Sequence, residues 1–136
     1  EVTMIRVMAA VVFWAGLAVA AAAQGREIET VIGRQIEAMR ADDFATAFDY
    51  ASPGIQGRFG SAENFGAMVR GGYSMVWKPR DVRYLELREI AGALWQKVLV
   101  TDADGRVHVL DYQMVELEGG WKINTVQILP APPPGV

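Results

Sequence analysis

The chain has 136 residues, of which 51% are hydrophobic, and a formal net charge of −3 at pH 7. Its length suits one domain, because domains typically contain about 100–150 residues. A net-acidic chain without a lysine and arginine cluster lacks the surface that binds phosphate backbones, so we expect no nucleic-acid partner. Cysteine is absent and His108 is the single histidine, which excludes disulfides, thiolate sites and multi-histidine metal sites. We therefore expect no metal and no cofactor.

The first 23 residues have the three regions of a secretory signal. Arg6 supplies a positive charge just after Met4, and an unbroken apolar run over 7–23 ends in the small-residue cleavage motif at 21–23. We expect translation to start at Met4 and cleavage to fall between Ala23 and Gln24. A permanent anchor is the alternative, but this run is slightly short and is rich in alanine. Since no twin arginine is present, the sequence predicts general secretion to the periplasm or the exterior, with no stable membrane anchor.

Apolar residues at helical spacing follow the leader. A first amphipathic helix is predicted to end near Arg40, with its inner stripe formed by Ile28, Val31, Ile32, Ile36 and Met39. Asp42 or Asp43 can cap a second, short helix, which ends before Ser52 because a residue that precedes proline resists helical geometry. This part of the chain therefore predicts two consecutive helices.

A third helix is predicted after a turn-rich link over residues 53–60. Ser61, followed by Glu63, is typical of a helix start, and the helix ends at the glycine pair 71–72. Three helices therefore precede the rest of the chain.

Downstream of these helices the apolar period changes to two. Four strands are predicted, over residues 82–90, 93–101, 106–117 and 121–129. Helices that precede strands favour an α+β fold, with the three helices packed on one face of a curved four-stranded antiparallel sheet. The single domain then covers 24–129, and the proline-rich segment 130–136 forms an extended tail.

Turn chemistry gives a trial register for the sheet. Residues 91–92 form a two-residue turn, and the two later turns carry glycine at the fourth position, typical of a type I turn that closes on a left-handed residue. The predicted pairs include Glu86 with Lys97, Lys97 with Asp111, Val100 with His108, Gln96 with Tyr112, Glu116 with Lys122, Val115 with Ile123 and Leu117 with Trp121.

The register assigns an apolar set to each face of the sheet. The helix-covered face takes Leu85, Leu87, Leu94, Val98, Val100, Leu110, Tyr112, Met114, Val126 and Ile128. The second face takes Trp95, Leu99, Val109, Val115, Trp121 and Ile123. This is too much apolar surface for simple exposure, so we expect the sheet to curl around it or a second subunit to cover it as a homodimer.

The chain resembles a known superfamily. The short Asp-rich break before residues 44–48, the segment 71–73 and the closing Gly-Gly-Trp-Lys-Ile at 119–123 carry the resemblance. They are similar to the nuclear-transport-factor-2-like (SnoaL-like, cystatin-like) superfamily and, more narrowly, to the bacterial family domain of unknown function 4864. The resemblance implies a cone-like fold that encloses a pocket, often in a dimer. Because that superfamily hosts isomerases, dehydratases, hydrolases and non-catalytic binders, it does not define a function.

Candidate site residues follow from side-chain chemistry. His108 and Tyr112 are the candidate catalytic groups, since histidine is the usual acid-base residue near neutral pH. Asp111 lies three positions from His108 and on the opposite face, which disfavours a dyad and leaves Lys97 as its expected partner. Aromatic walls with a few polar groups are typical of ligand pockets. The pocket candidates are Tyr73, Trp77, Gln96, His108, Tyr112 and Asn124.

The sequence favours binding over catalysis. Our preferred hypothesis is an exported, non-catalytic module that binds an apolar or amphipathic small molecule, or a protein partner. One alternative is a small lyase, isomerase or hydrolase that uses His108 and Tyr112 for proton transfer. A dimeric assembly component is the other alternative.

Overall fold

The computed structural model describes residues 2–130, with side chains from residue 18 onward. The elements are α1 (Val2–Arg40), α2 (Phe44–Asp49), α3 (Pro53–Phe59), α4 (Ala62–Gly72), a 3₁₀ turn (Ser74–Val76), β1 (Asp81–Ile90), β2 (Ala93–Thr101), β3 (Val107–Leu117) and β4 (Gly120–Leu129). The strands form one open antiparallel sheet in the order β1-β2-β3-β4. The predicted α+β order, with helices before a four-stranded meander, is confirmed. The predicted tail beyond Pro130 lies outside the described residues.

The first helix provides one wall of the core. Ile28, Ile32, Ile36 and Met39 recur at helical spacing and are at most 2% exposed. Burial of each such side chain contributes about 1.5–3 kcal/mol. The helix ends at Arg40, as the sequence predicts. Its buried stripe therefore anchors the domain.

The same helix also runs upstream through the predicted leader. It passes Ala23 and Gln24 without a break, and residues 18–22 are exposed, whereas Ile28 is the first buried position from residue 18 onward. Within the described residues, no helix is long and apolar enough to cross a bilayer. Cleavage after Ala23 stays a prediction.

Helix caps explain where α2 and α4 begin. The Asp43 carboxylate accepts a hydrogen bond from the Thr46 amide at 3.2 Å, so Asp43 caps α2. The Ser61 hydroxyl accepts one from the Asn64 amide at 3.1 Å at the start of α4. Such caps typically contribute about 1 kcal/mol each. Both predicted helix starts are confirmed.

Residues 53–59 form a helix, so the prediction of a turn-rich link over 53–60 is wrong. Ser52 caps this helix through a hydrogen bond from the Ile55 amide to its hydroxyl, and Pro53 occupies the first turn. Proline suits that position because its missing N–H would have no helical partner there. Gly60 closes the helix with a left-handed φ of 78°. The serine-proline pair that was expected only to end α2 therefore also begins α3.

The β2–β3 register agrees with the prediction at every pair. Val100 lies opposite His108, and Gln96 lies opposite Tyr112. Gly105 takes a positive φ of 85°, as the turn type requires. The two-residue turn between β1 and β2 is confirmed as well, with positive φ at Ala91 and Gly92.

The predicted register of the last hairpin is wrong by one residue near its turn. Glu116 pairs with Trp121 rather than Lys122, Val115 with Lys122 rather than Ile123, and Leu117 with Gly120 rather than Trp121. The cause is a two-residue turn, with Gly120 already in the strand. A bulge at Asn124 then restores the alignment, and Gln113 lies opposite Thr125.

That shift changes which face two large side chains occupy. Trp121 and Ile123 are buried on the helix side, whereas the sequence assigned them to the second face. The Trp121 indole N–H donates to the Glu27 carboxylate of α1 at 3.2 Å. The outer face is therefore less apolar than predicted.

Two residues expected beneath the helices are exposed instead. A bulge between Tyr84 and Leu87 turns Leu85 away from the core, and Leu85 is 43% exposed. Tyr84 packs against the core in its place, and its hydroxyl donates to the Glu29 carbonyl. Ile128, on the edge strand β4, is 45% exposed although its cross-strand partner Leu110 is fully buried.

Candidate functional site

A cavity of about 200 Å³ lies between α3, α4 and the helix-covered face of β3 and β4. Its floor includes Tyr112 and Val126, which are partners across the two strands. Its walls come from the helices, because Ala51 pairs with Ile123 and holds the start of α3 beside the sheet. The lining residues are Gln35, Met39, Ala51, Ile55, Arg58, Phe59, Phe65, Met68, Val69, Tyr73, Val76, Tyr112, Ile123, Thr125 and Val126.

Most of this lining is apolar, and its polar groups are few. The Tyr73 hydroxyl donates to the Val126 carbonyl at 3.0 Å, and the Gln35 amide donates to the Ala47 carbonyl at 3.2 Å. The Thr125 hydroxyl donates to the Asn124 carbonyl at 2.8 Å. These three side chains thus bond to backbone carbonyls.

Tyr112 differs from these three side chains in its hydrogen bonding. It is 1% exposed, and no hydrogen bond joins its hydroxyl to another described residue. Burial, with smaller contributions from nearby Tyr84 and Tyr73, raises the pKa of Tyr112 well above its ordinary value. The phenol therefore stays neutral at physiological pH and can donate a hydrogen bond.

Arg58 is the one cationic residue of the lining, and it belongs to the exposed side of α3. Within residues 18–130 its guanidinium forms no salt bridge. An exposed cation at the edge of an apolar cavity remains hydrated, so it carries little of the cost of a buried charge.

His108 lies outside the cavity lining, near the turn between β2 and β3. Its Nε2 is 2.8 Å from the Asp102 carboxylate, which also accepts hydrogen bonds from the Asp104 and Arg106 amides. The hydrogen bond to His108 is the largest cause that lowers the pKa of Asp102. Along β3, His108 and Tyr112 are four residues apart, about 13 Å. The structure therefore does not bring these two candidate catalytic groups together.

Three other pocket candidates hold the fold together outside the lining. The Gln96 amide is buried and donates to the Leu85 and Lys97 carbonyls at the β1 bulge. The Trp77 indole donates to the Asp42 carboxylate at 2.8 Å, beyond the end of α1.

The third is Asn124, the bulged residue of β4. It accepts a hydrogen bond from the Ser52 hydroxyl at 2.8 Å and donates to Gln113 at 2.9 Å. Because Ser52 caps α3, this chain of hydrogen bonds ties α3 to the sheet.

Asp111 pairs with Arg88, so the assignment of Lys97 as its partner is wrong. Two guanidinium nitrogens donate to its two oxygens at 2.9 and 2.7 Å. Lys97 instead contacts Glu86 at 3.1 Å, which confirms the predicted Glu86–Lys97 pair. Asp111 pairs with Arg88 rather than Lys97 because a planar guanidinium matches both oxygens of a carboxylate, which an ammonium cannot do.

Sequence reasoning found Tyr73 and Tyr112 but missed the rest of the cavity. Ile55 and Phe59 are spaced four residues apart on α3, a helical pattern hidden by the expectation of a link. The Ser52–Pro53 pair and Gly60 were the available signals for that helix. Ile123 was missed because its face depends on the length of the last turn.

Comparison with known proteins adds a family. A family profile described as Domain of unknown function (DUF4864) matches residues 21–136. The chain belongs to this family. The match confirms the narrower resemblance seen in the sequence. No curated protein and no solved structure matches the chain.

Proposed function

We propose that this DUF4864 domain is a non-catalytic binding module whose cavity takes a small apolar or amphipathic molecule. The supporting observation is the largely apolar space of about 200 Å³ between α3, α4 and the sheet. A cavity of about 150 Å³ with an apolar lining holds benzene, so this space suits a slightly larger molecule. Four aromatic rings and a few polar groups among apolar walls match the general pattern of ligand sites.

The chemistry of the lining supports binding over proton transfer. The lining contains no histidine and no carboxylate, and His108 bonds to Asp102 near the turn instead. General acid-base catalysis needs a group with a pKa near the working pH, within reach of the substrate. Tyr112 does not meet that need, because burial raises its pKa.

We also propose that the domain has the nuclear-transport-factor-2-like cone fold and that the protein is exported. Helices that precede an open four-stranded antiparallel sheet, with a cavity between the two layers, support the cone. Export is supported by the burial pattern, since residues 18–22 are exposed and loss of the leader removes none of the core stripe that begins at Ile28. N-terminal sequencing of the exported protein should begin at Gln24, and a retained leader would contradict cleavage.

Ligand capture tests the cavity directly. Purified protein of residues 24–136 is mixed with a lipophilic cell extract, and retained molecules are identified by native mass spectrometry. Val126→Phe fills the cavity and should abolish retention. Val107→Phe adds the same ring to an exposed site outside the lining and should leave retention unchanged. Equal retention by both variants, or none by the wild type, would count against the cavity.

Binding of a protein partner through the outer face of the sheet is a second candidate function. By strand parity, Ile90 and Leu117 lie at the same end of the sheet on the face opposite the helices, and they are 47% and 39% exposed. Side chains of this size at the surface are typical of association sites when they are contiguous. Sedimentation of the mature domain should show a homodimer that Leu117→Asp converts to a monomer. A monomeric wild type would remove the homodimer version.

A further inference from the structure

The unpartnered hydroxyl of Tyr112 defines the chemistry of the cavity. No fully enclosed side-chain nitrogen or oxygen of the described residues lacks a hydrogen-bond partner. The Tyr112 oxygen has no such partner, so it must border open space, and the cavity is the space that this 1% exposed side chain lines. The hydroxyl therefore faces the cavity and is free to donate a hydrogen bond to a molecule that occupies it.

The charges around the cavity indicate a neutral molecule. The lining holds no buried cation, since Arg58 is on the exposed side of α3. An anion placed at Tyr112 would lose its hydration without a counter-charge, which is costly in a low-dielectric site. The raised pKa of Tyr112 keeps the hydroxyl protonated and able to donate.

The volume limits the size of that molecule. Benzene fits a cavity of about 150 Å³, or roughly 25 Å³ for each non-hydrogen atom. A space of about 200 Å³ therefore suits roughly eight non-hydrogen atoms. This is smaller than a phospholipid or a long-chain fatty acid.

We infer that the ligand is a small neutral molecule with an apolar body and one acceptor oxygen, such as a phenol, alcohol or ketone, bound to the Tyr112 hydroxyl. The inference rests on the proposed binding function. It makes Tyr112 the specificity-determining residue of the cavity, whereas Tyr73 only lines it, because its hydroxyl donates to the Val126 carbonyl.

Three aromatic probes, two of matched shape and one anion that is two non-hydrogen atoms larger, test this inference by isothermal titration calorimetry. They are p-cresol, p-xylene, which replaces the hydroxyl with a methyl, and p-toluate, which replaces it with a carboxylate. The wild type should bind p-cresol about five- to tenfold more tightly than p-xylene, as one hydrogen bond provides. It should bind p-toluate more weakly than either. Tyr112→Phe should equalise p-cresol and p-xylene, while the control Tyr50→Phe, which lies outside the lining, should keep the preference.

The outcomes separate the inference from the function it rests on. If p-xylene and p-cresol bind equally and Val126→Phe abolishes both, the cavity binds ligands but the role of Tyr112 is wrong. If p-toluate binds most tightly and Arg58→Gln removes that advantage, the ligand is an anion held at the edge, and the inference is overturned. If none of the three binds, the proposed function fails with it.

Discussion

The polar side chains in the two halves of β3 differ in whether they have a hydrogen-bond partner. Near the turn, His108 contacts Asp102, and Asp111 contacts Arg88 on the outer face. Toward the cavity, Tyr112 keeps an unpartnered hydroxyl beneath the helices. Paired groups fix the fold, because breaking them leaves a partner unsatisfied. The Tyr112 hydroxyl has no such partner and borders the cavity, which leaves it free to hydrogen-bond to a ligand there.

The largest effect that would test this contrast is expected at Asp111. Asp111→Ala leaves Arg88 without its carboxylate, and the side chains of the pair are only 8% and 25% exposed. Loss of one partner of a fully buried pair costs about 3–5 kcal/mol, so we expect about 2–3 kcal/mol for this partly exposed pair, measured by urea unfolding. Glu86→Ala removes a carboxylate that is 64% exposed, and it should cost less than about 1 kcal/mol. Equal losses would show that Asp111 is not a structural anchor.

A smaller effect distinguishes the two tyrosines of the cavity. Tyr73→Phe removes the hydrogen bond to the Val126 carbonyl and should lower the free energy of unfolding by about 0.5–1.5 kcal/mol. Tyr112→Phe removes a hydroxyl without a partner, so unfolding should be unchanged or slightly harder. Thermal and urea unfolding of both variants checks the difference. A clear loss of stability in Tyr112→Phe would mean that its hydroxyl is bonded in the ligand-free domain.

The smallest expected effect is on the pH dependence of stability. The His108 hydrogen bond lowers the folded-state pKa of Asp102 below its ordinary value of 3.8. Between these two pKa values the unfolded chain binds more protons, so this contribution is present above pH 3.8 and is lost as pH falls through the folded-state pKa. His108→Ala should flatten the decline below pH 3.8 in thermal unfolding. The capping carboxylate of Asp43, whose pKa is also lowered, should keep its own part of that decline.

The sequence predicted the pairing of β3 with β2 better than its pairing with β4. The β2–β3 register follows from one turn, because Gly105 satisfies the left-handed position that sets every pair. The β3–β4 register depends on whether the turn between β3 and β4 has two or three loop residues. The glycines at 119 and 120 permit both turn lengths. The bulge at Asn124 has no sequence signal of its own, so the burial of Trp121 and Ile123 could not be predicted.

The cavity itself depends on the parts that sequence reasoning placed wrongly. Its walls need α3, which was expected to be a link, and its floor needs Ile123 on the helix side. Volume between layers also depends on how side chains from distant segments pack, which periodicity does not encode. Tyr73 and Tyr112 were found because aromatic residues with polar groups stand out by chemistry alone.

The most direct test of the account is methyl and imidazole NMR of the mature domain during titration with p-cresol. Resonances of Met68, Ile123 and Val126, which line the cavity, should shift and saturate together, while the His108 ring should stay unchanged. Shifts at His108 with unchanged cavity methyls would contradict the account, because they would place the ligand at the paired end of β3.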